Sequence, residues 1–157
     1  MTKLISTLFI FTLLFCCNSP TAEEESNPFV GDWKLNLAGS GSPLKTELNE
    51  ASPLLMRITA LGGDGIRIAY PSSGTSCDGT FDGQEHECQG PNVPEGFTMS
   101  LKLTSPKELS YSAGIKSGGL SVGTLTVSED GLTLTQVSQP EGSEKPVTAV
   151  YQKQSYY

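Results

Sequence analysis

Apolar and polar residues alternate along most of the chain with the period of a β-strand. Trp33, Leu35 and Leu37 alternate with Lys34 and Asn36, which gives one dry face and one wet face. Leu54 to Ala60 and Ile66 to Tyr70 are two further strand-like runs, the second with Ile66, Ile68 and Tyr70 on one side and Arg67 on the other. Gly62-Gly63-Asp64-Gly65 between them is hairpin chemistry, because glycine accepts the positive φ that tight turns demand. The strongest rows are Phe97, Met99, Leu101 and Leu103, then Leu109, Tyr111, Ala113 and Ile115, separated by Ser105-Pro106-Lys107. Leu120 and Val122 then give way to Leu125 and Val127, a change of phase at Gly123-Thr124 that predicts a β-bulge beside the glycine. Ser128-Glu129-Asp130-Gly131 predicts a tight turn into a strand opening at Leu132 and Leu134, and Val147, Ala149 and Tyr151 share a face of the last strand.

Two stretches lack this pattern. Residues 38–53 are rich in Gly, Ser and Pro and are expected to cross one end of the fold. Residues 72–94 are the least regular part, with two Asp-Gly pairs between Cys77 and Cys88. Counted together, the runs give eight to ten strands in up-and-down order. Such a meander must bury one face and hide two edges, and closing into a barrel does both. The expected fold is therefore all-β, an antiparallel meander closed into an eight- to ten-stranded barrel over residues 28–153, with residues 154–157 as a frayed tail. Trp33, the single tryptophan, is expected at the barrel floor.

The N-terminus reads as an export signal. Met1-Thr2-Lys3 is a short basic start, and the apolar run from Leu4 to Phe15 has the length of a signal-peptide core rather than of a membrane span. Two exits are open. Leu14-Phe15-Cys16-Cys17 resembles a bacterial lipobox, with Cys17 as the lipidated residue and residues 1–17 removed or modified at export; Cys16 is the poorer acceptor because Phe15 would precede it. Alternatively, cleavage follows Ala22 and both early cysteines leave with the signal. Residues 18–27 include Glu23-Glu24-Glu25 and read as a disordered acidic tether. The expected location is outside the cytoplasm, on an outer or cell-envelope membrane through a lipid anchor, or free in a secreted or periplasmic form.

Charge narrows the partners. The net charge of −7 becomes −8 once Lys3 is removed with a signal. Nucleic acid needs a positive groove, and this chain repels it; a membrane is reached only through the anchor. With 17 glycines, 10 prolines and 17% charged residues, the composition suits a turn-rich β domain. In an exported protein Cys77 and Cys88 survive either exit, so they are expected to form a disulfide, worth about 3 kcal/mol for a loop of this size.

Candidate chemistry is thin. His86 lies between Glu85 and Glu87, which on a strand would face away from it, so it reads as a solvated loop histidine and not a metal ligand. Asp78, Asp82 and Glu85 lack the spacing of a calcium loop; turn chemistry accounts for both Asp-Gly pairs. No Gly-x-Ser-x-Gly lies on a strand-to-helix turn, and no Gly-rich phosphate loop leads into a helix. A triad would have to recruit His86, and a carboxylate pair is not specified by any spacing.

Gly31-Asp32-Trp33 at the start of a β meander resembles the G-x-W signature of the lipocalins and the wider calycin group. Together with Val127-Ser128-Glu129-Asp130-Gly131-Leu132-Thr133-Leu134-Thr135 and Val150-Tyr151-Gln152-Lys153, it is similar to small exported bacterial proteins described as lipocalin-like. The resemblance implies a Trp33 packed across the closed end and a barrel able to hold a small, mostly apolar molecule. Two departures stand out: there is no Thr-Asp-x-Tyr element, and no arginine follows Arg67 to stack on Trp33. The functional expectation is a non-catalytic, monomeric barrel without cofactor or metal, binding a small hydrophobic or amphipathic ligand. Its lining would be Phe97, Met99, Leu101, Tyr111 and Ile115 above Trp33, with Ala69, Ala113 and Ala149 leaving room. The alternatives are a packed envelope protein that meets a partner through its outer face, and an enzyme using Glu85, His86 or Asp82.

Overall fold

The computed structural model describes residues 27–41, 54–115 and 118–155. The export signal, the lipidation candidate Cys17, nearly all of the tether and most of the end-crossing segment lie outside the described residues, as do the last two tail residues. Ten antiparallel strands form one closed barrel: β1 (Gly31–Leu35), β2 (Leu55–Leu61), β3 (Gly65–Tyr70), β4 (Thr75–Thr80), β5 (Asp82–Gln89), β6 (Phe97–Ser105), β7 (Glu108–Ile115), β8 (Gly118–Val127), β9 (Thr133–Pro140) and β10 (Val147–Lys153). Each strand pairs with its neighbours in sequence, and β1 closes the ring on β10, with Trp33 opposite Lys153 and Leu35 opposite Tyr151.

The end of the barrel near Trp33 is packed solid. Phe29, Trp33, Met56, Ile58, Ile66, Leu101, Leu109 and Leu134 are all fully buried. The indole N–H of Trp33 donates to the Phe29 carbonyl at 2.8 Å, so the ring is buried without orphaning its one polar atom. Burying an aromatic of this size contributes about 4–6 kcal/mol of transfer free energy as an upper bound. The stacking cation missing from the sequence comparison is supplied by a lysine: the Lys153 ammonium lies 5.1 Å from the centroid of the Trp33 ring.

Several expectations are corrected. The ladder runs unbroken past Gly123 and Thr124, which pair with Tyr111 and Ser110; the register shift lies between Ala113 and Ile115. Leu120 and Val122 are exposed, so the change of phase reflects apolar side chains on the outer face and not a bulge. Ala69 faces outward beside Arg57 and Ser76, and leaves no room inside. Leu103 is exposed at the end of its row.

The irregular middle stretch contains two strands, β4 and β5, joined through Phe81. They share only two partner pairs, Ser76 with Gln89 and Cys77 with Cys88, and the two cysteines form the expected disulfide with their Cα atoms 4.3 Å apart. Beyond that pair the ladder stops, and Leu101 from β6 packs into the breach. A Cβ on Gly79 would stand 2.7 Å from Leu101 Cδ1, so the bare backbone of β4 is what lets the leucine in.

Candidate functional site

Above this packed half, the barrel holds a cavity of about 190 Å³. Its apolar wall comes from Met56 on β2, Ile68 on β3, Phe97 and Met99 on β6, Ala113 on β7 and Leu125 on β8, with Cys77 of the disulfide beside them. These positions follow from strand parity: Ile68 opposes Cys77, Met99 opposes Ala113, and Leu125 opposes Gln136. Alternate residues of each strand therefore point to the same interior.

Polar groups converge on the same space from Tyr70, Thr75, Tyr111 and Gln136. The Gln136 Nε2 donates to the Tyr111 hydroxyl at 2.9 Å, and its Oε1 accepts from the Tyr151 hydroxyl at 3.2 Å. Tyr111 also shares a hydrogen bond with Ser138 Oγ. Gly123 makes room for this ring, since a Cβ there would stand 2.9 Å from Tyr111 Cε1. The Tyr70 hydroxyl has no partner among the described residues. Burial, reinforced by the neighbouring Tyr111, pushes the Tyr70 phenol up to about 12. Burial, then Tyr70 and Tyr111, raises the Tyr151 phenol further. Both of these phenols, Tyr70 and Tyr151, therefore stay neutral at physiological pH.

Of the ligand-lining candidates, Phe97, Met99 and Tyr111 line the cavity. Trp33 and Leu101 are fully buried in the packed half, and Ile115 pairs with Phe97 at the far end of β7. Met56, Ile68, Tyr70, Thr75, Leu125 and Gln136 were not singled out from sequence. Parity could have found two of them: Tyr70 shares the face of Ile66 and Ile68, and Gln136 shares that of Leu134.

The second cluster sits at the gap between β4 and β5, beyond their two paired positions. His86 is half-buried on β5 opposite Met99, which corrects its reading as a solvated loop residue. Its Nε2 lies 3.0 Å from Thr80 Oγ1, which donates to Asp82 Oδ1 at 2.8 Å. In a catalytic triad the carboxylate orients the imidazole and the imidazole addresses the hydroxyl; here carboxylate and imidazole both converge on the hydroxyl. Asp82 also accepts the Gln84 amide, and that hydrogen bond, then the one from Thr80, holds its carboxyl below the usual range. Asp78 forms a bidentate pair with Arg67 at 2.6 and 2.8 Å, which depresses its carboxyl likewise. Among the described residues no group of three or more His, Cys, Asp or Glu is placed to hold a metal ion.

No protein-family model matches the chain, and no curated protein matches it in sequence. Solved structures do. A Schistosoma mansoni fatty acid binding protein in complex with arachidonic acid superposes with a TM-score of 0.60 at 17% identity, covering 82% of this chain and 97% of that one. A fatty acid transporter, REP1-NXSQ, gives a TM-score of 0.50 at 15% identity over 82% and 97%. A luciferase domain from the dinoflagellate Lingulodinium polyedrum gives 0.54 at 12% identity, over 82% of this chain and 42% of that one. At these identities the likeness is one of fold, that of a closed antiparallel β-barrel.

Proposed function

We propose that the chain is a non-catalytic barrel that binds a small hydrophobic or amphipathic molecule in the cavity beneath Tyr70 and Phe97. The observation that carries this reading is the cavity itself: a concave apolar wall with a few convergent polar groups is the usual form of a small-molecule site. The fold it shares with a fatty acid binding protein and a fatty acid transporter supports it. The Thr80, His86 and Asp82 cluster supports no reaction, because its hydrogen bonds are those of a turn.

The same reading places the protein outside the cytoplasm, either held at a membrane by lipidated Cys17 or released. The Cys77–Cys88 disulfide supports this, since such bridges persist in oxidising compartments.

Native mass spectrometry of protein purified from its own host is the direct test, with a retained small molecule as the expected result. Alongside it, a compact neutral fluorophore such as naphthalene should bind and be displaced by a lipid extract. Ala113→Phe, which fills the cavity, should abolish naphthalene binding while leaving the barrel's circular dichroism intact. Naphthalene binding unchanged by that substitution would move the site elsewhere. A second reading, a packed barrel that works through its outer surface, is favoured by one observation: 190 Å³ falls below the roughly 300–1,000 Å³ of most ligand pockets. Absence of both retained ligand and naphthalene uptake would select it.

A further inference from the structure

The polar groups of the cavity are hydroxyls and one amide, and among the described residues the lysines and arginines are engaged or positioned elsewhere. Arg57 pairs with Asp32 at 2.7 Å and Arg67 with Asp78 at 2.6 Å, both on the outer face. Lys107 pairs with Glu129 beside the turn that follows β8. Lys153 lies over Trp33 in the packed half. Lys34 and Lys102 are exposed on strands, and Lys145 is exposed in the turn before β10. Among the described residues no Lys, Arg, Asp or Glu lines the cavity.

We propose that this cavity selects an uncharged amphiphile, with a compact apolar body and a hydroxyl, carbonyl or ester oxygen held at Tyr70 and Gln136, and rejects a carboxylate. The inference rests on the small-molecule reading above and names the class of molecule. An ionised carboxylate taken from water into an apolar site needs a paired cation or several donors to offset its desolvation. Three donors are on offer here, one of them the Thr75 hydroxyl, whose oxygen accepts from Ser73 Oγ and keeps its own hydrogen. The Tyr70 hydroxyl has no partner among the described residues. The Gln136 amide nitrogen has one hydrogen engaged with Tyr111, which leaves its second. Two of these neutral donors satisfy one neutral acceptor oxygen, and all three together leave an anion short of charge compensation. The tyrosines report the same environment: burial disfavours the anionic form of Tyr70 and of Tyr151, and it acts on a carboxylate in the same sense. The surrounding charge of −7 adds a long-range term of the same sign. Size sets the other limit. At about 30 Å³ per water-sized group, 190 Å³ holds roughly half a dozen such groups, so the body is short or compact and not a long acyl chain.

The test is displacement of naphthalene, a compact neutral fluorophore, from the intact protein at pH 7.4 by three probes of one short chain length of about five carbons, a primary alcohol, the carboxylic acid and the primary amine. The alcohol should displace the naphthalene at a concentration at least tenfold below that of the acid or the amine. Lowering the pH until the acid is protonated should bring it level with the alcohol. Tyr70→Phe should weaken the alcohol several-fold more than it weakens naphthalene, which has no oxygen to hold, a split that simple loss of folding would not produce. Acid binding equal to or tighter than the alcohol at pH 7.4 would overturn the inference while leaving a small-molecule site in place. Failure of naphthalene and of all three probes to bind would overturn both.

Discussion

Lys153 reaches Trp33 across ground that residue 31 leaves empty. A Cβ on Gly31 would stand 2.7 Å from Lys153 Cε, and the ammonium at the end of that stem lies 5.1 Å from the indole centroid. The glycine two residues before the tryptophan is thus needed twice, for the space and for its φ of +150°, which L side chains rarely adopt. Gly31→Ala should destabilise the barrel by about 1–3 kcal/mol. Lys153→Ala alone should cost about 0.5–1 kcal/mol through the lost cation–π contact. In urea titrations the double variant should cost less than the two separately, because removing the stem relieves the clash. Strict additivity would mean that the stem does not occupy the space beside residue 31.

The disulfide closes the weakest seam. β4 and β5 share two partner pairs, one of them the cysteine pair itself. Replacing Cys77 and Cys88 by alanine should cost about 2–4 kcal/mol. Amide exchange should rise first in β4 and β5 and leave β7, β8 and β9 protected, since those strands keep long continuous ladders. Uniform loss of protection across all ten strands would show that the bridge staples the whole barrel rather than this seam.

Gly123 admits no side chain. A Cβ there would meet the Val137 carbonyl oxygen at 2.0 Å as well as the Tyr111 ring, and no rotamer change moves a backbone oxygen. Gly123→Ala should cost at least the 1–3 kcal/mol typical of overpacking and should weaken naphthalene binding by displacing Tyr111. Wild-type stability would place Tyr111 away from β8.

The buried phenols make the protein sensitive to alkali. In the unfolded chain tyrosine loses its proton near pH 10, whereas Tyr70 in the barrel holds its proton up to about pH 12. Between those values the native state binds more protons than the unfolded one, so this contribution is complete below pH 10 and is lost as pH rises toward 12. Chemical denaturation midpoints should fall across that window. Tyr70→Phe should flatten the fall, which a general base effect would not do. Spectrophotometric titration should show a late-ionising fraction of tyrosine that appears only as the barrel opens.

Strand order and closure were legible from the rows Phe97 to Leu101 and Leu109 to Ala113, because a half-buried strand writes its two faces into alternate letters. β4 and β5 were not, since Thr75–Thr80 and Asp82–Gln89 carry few apolar residues; pairing partners and a disulfide hold them in the sheet. Leu120 and Val122 misled for the opposite reason, being apolar yet exposed. The cavity was half legible. Phe97, Met99 and Tyr111 stand out as large residues on inward rows, but Gln136 is polar among inward positions and attracts notice only once Leu134 fixes the parity. The Lys153–Trp33 contact joins the two ends of the chain, and no local pattern announces it.

Because the first and last strands lie side by side, Asn27 and Ser155 both emerge at the sealed, tryptophan-floored rim. Tyr70 and Phe97, which line the cavity, lie toward the opposite pole, so a probe fused ahead of Asn27 would be separated by the packed half from whatever occupies that space.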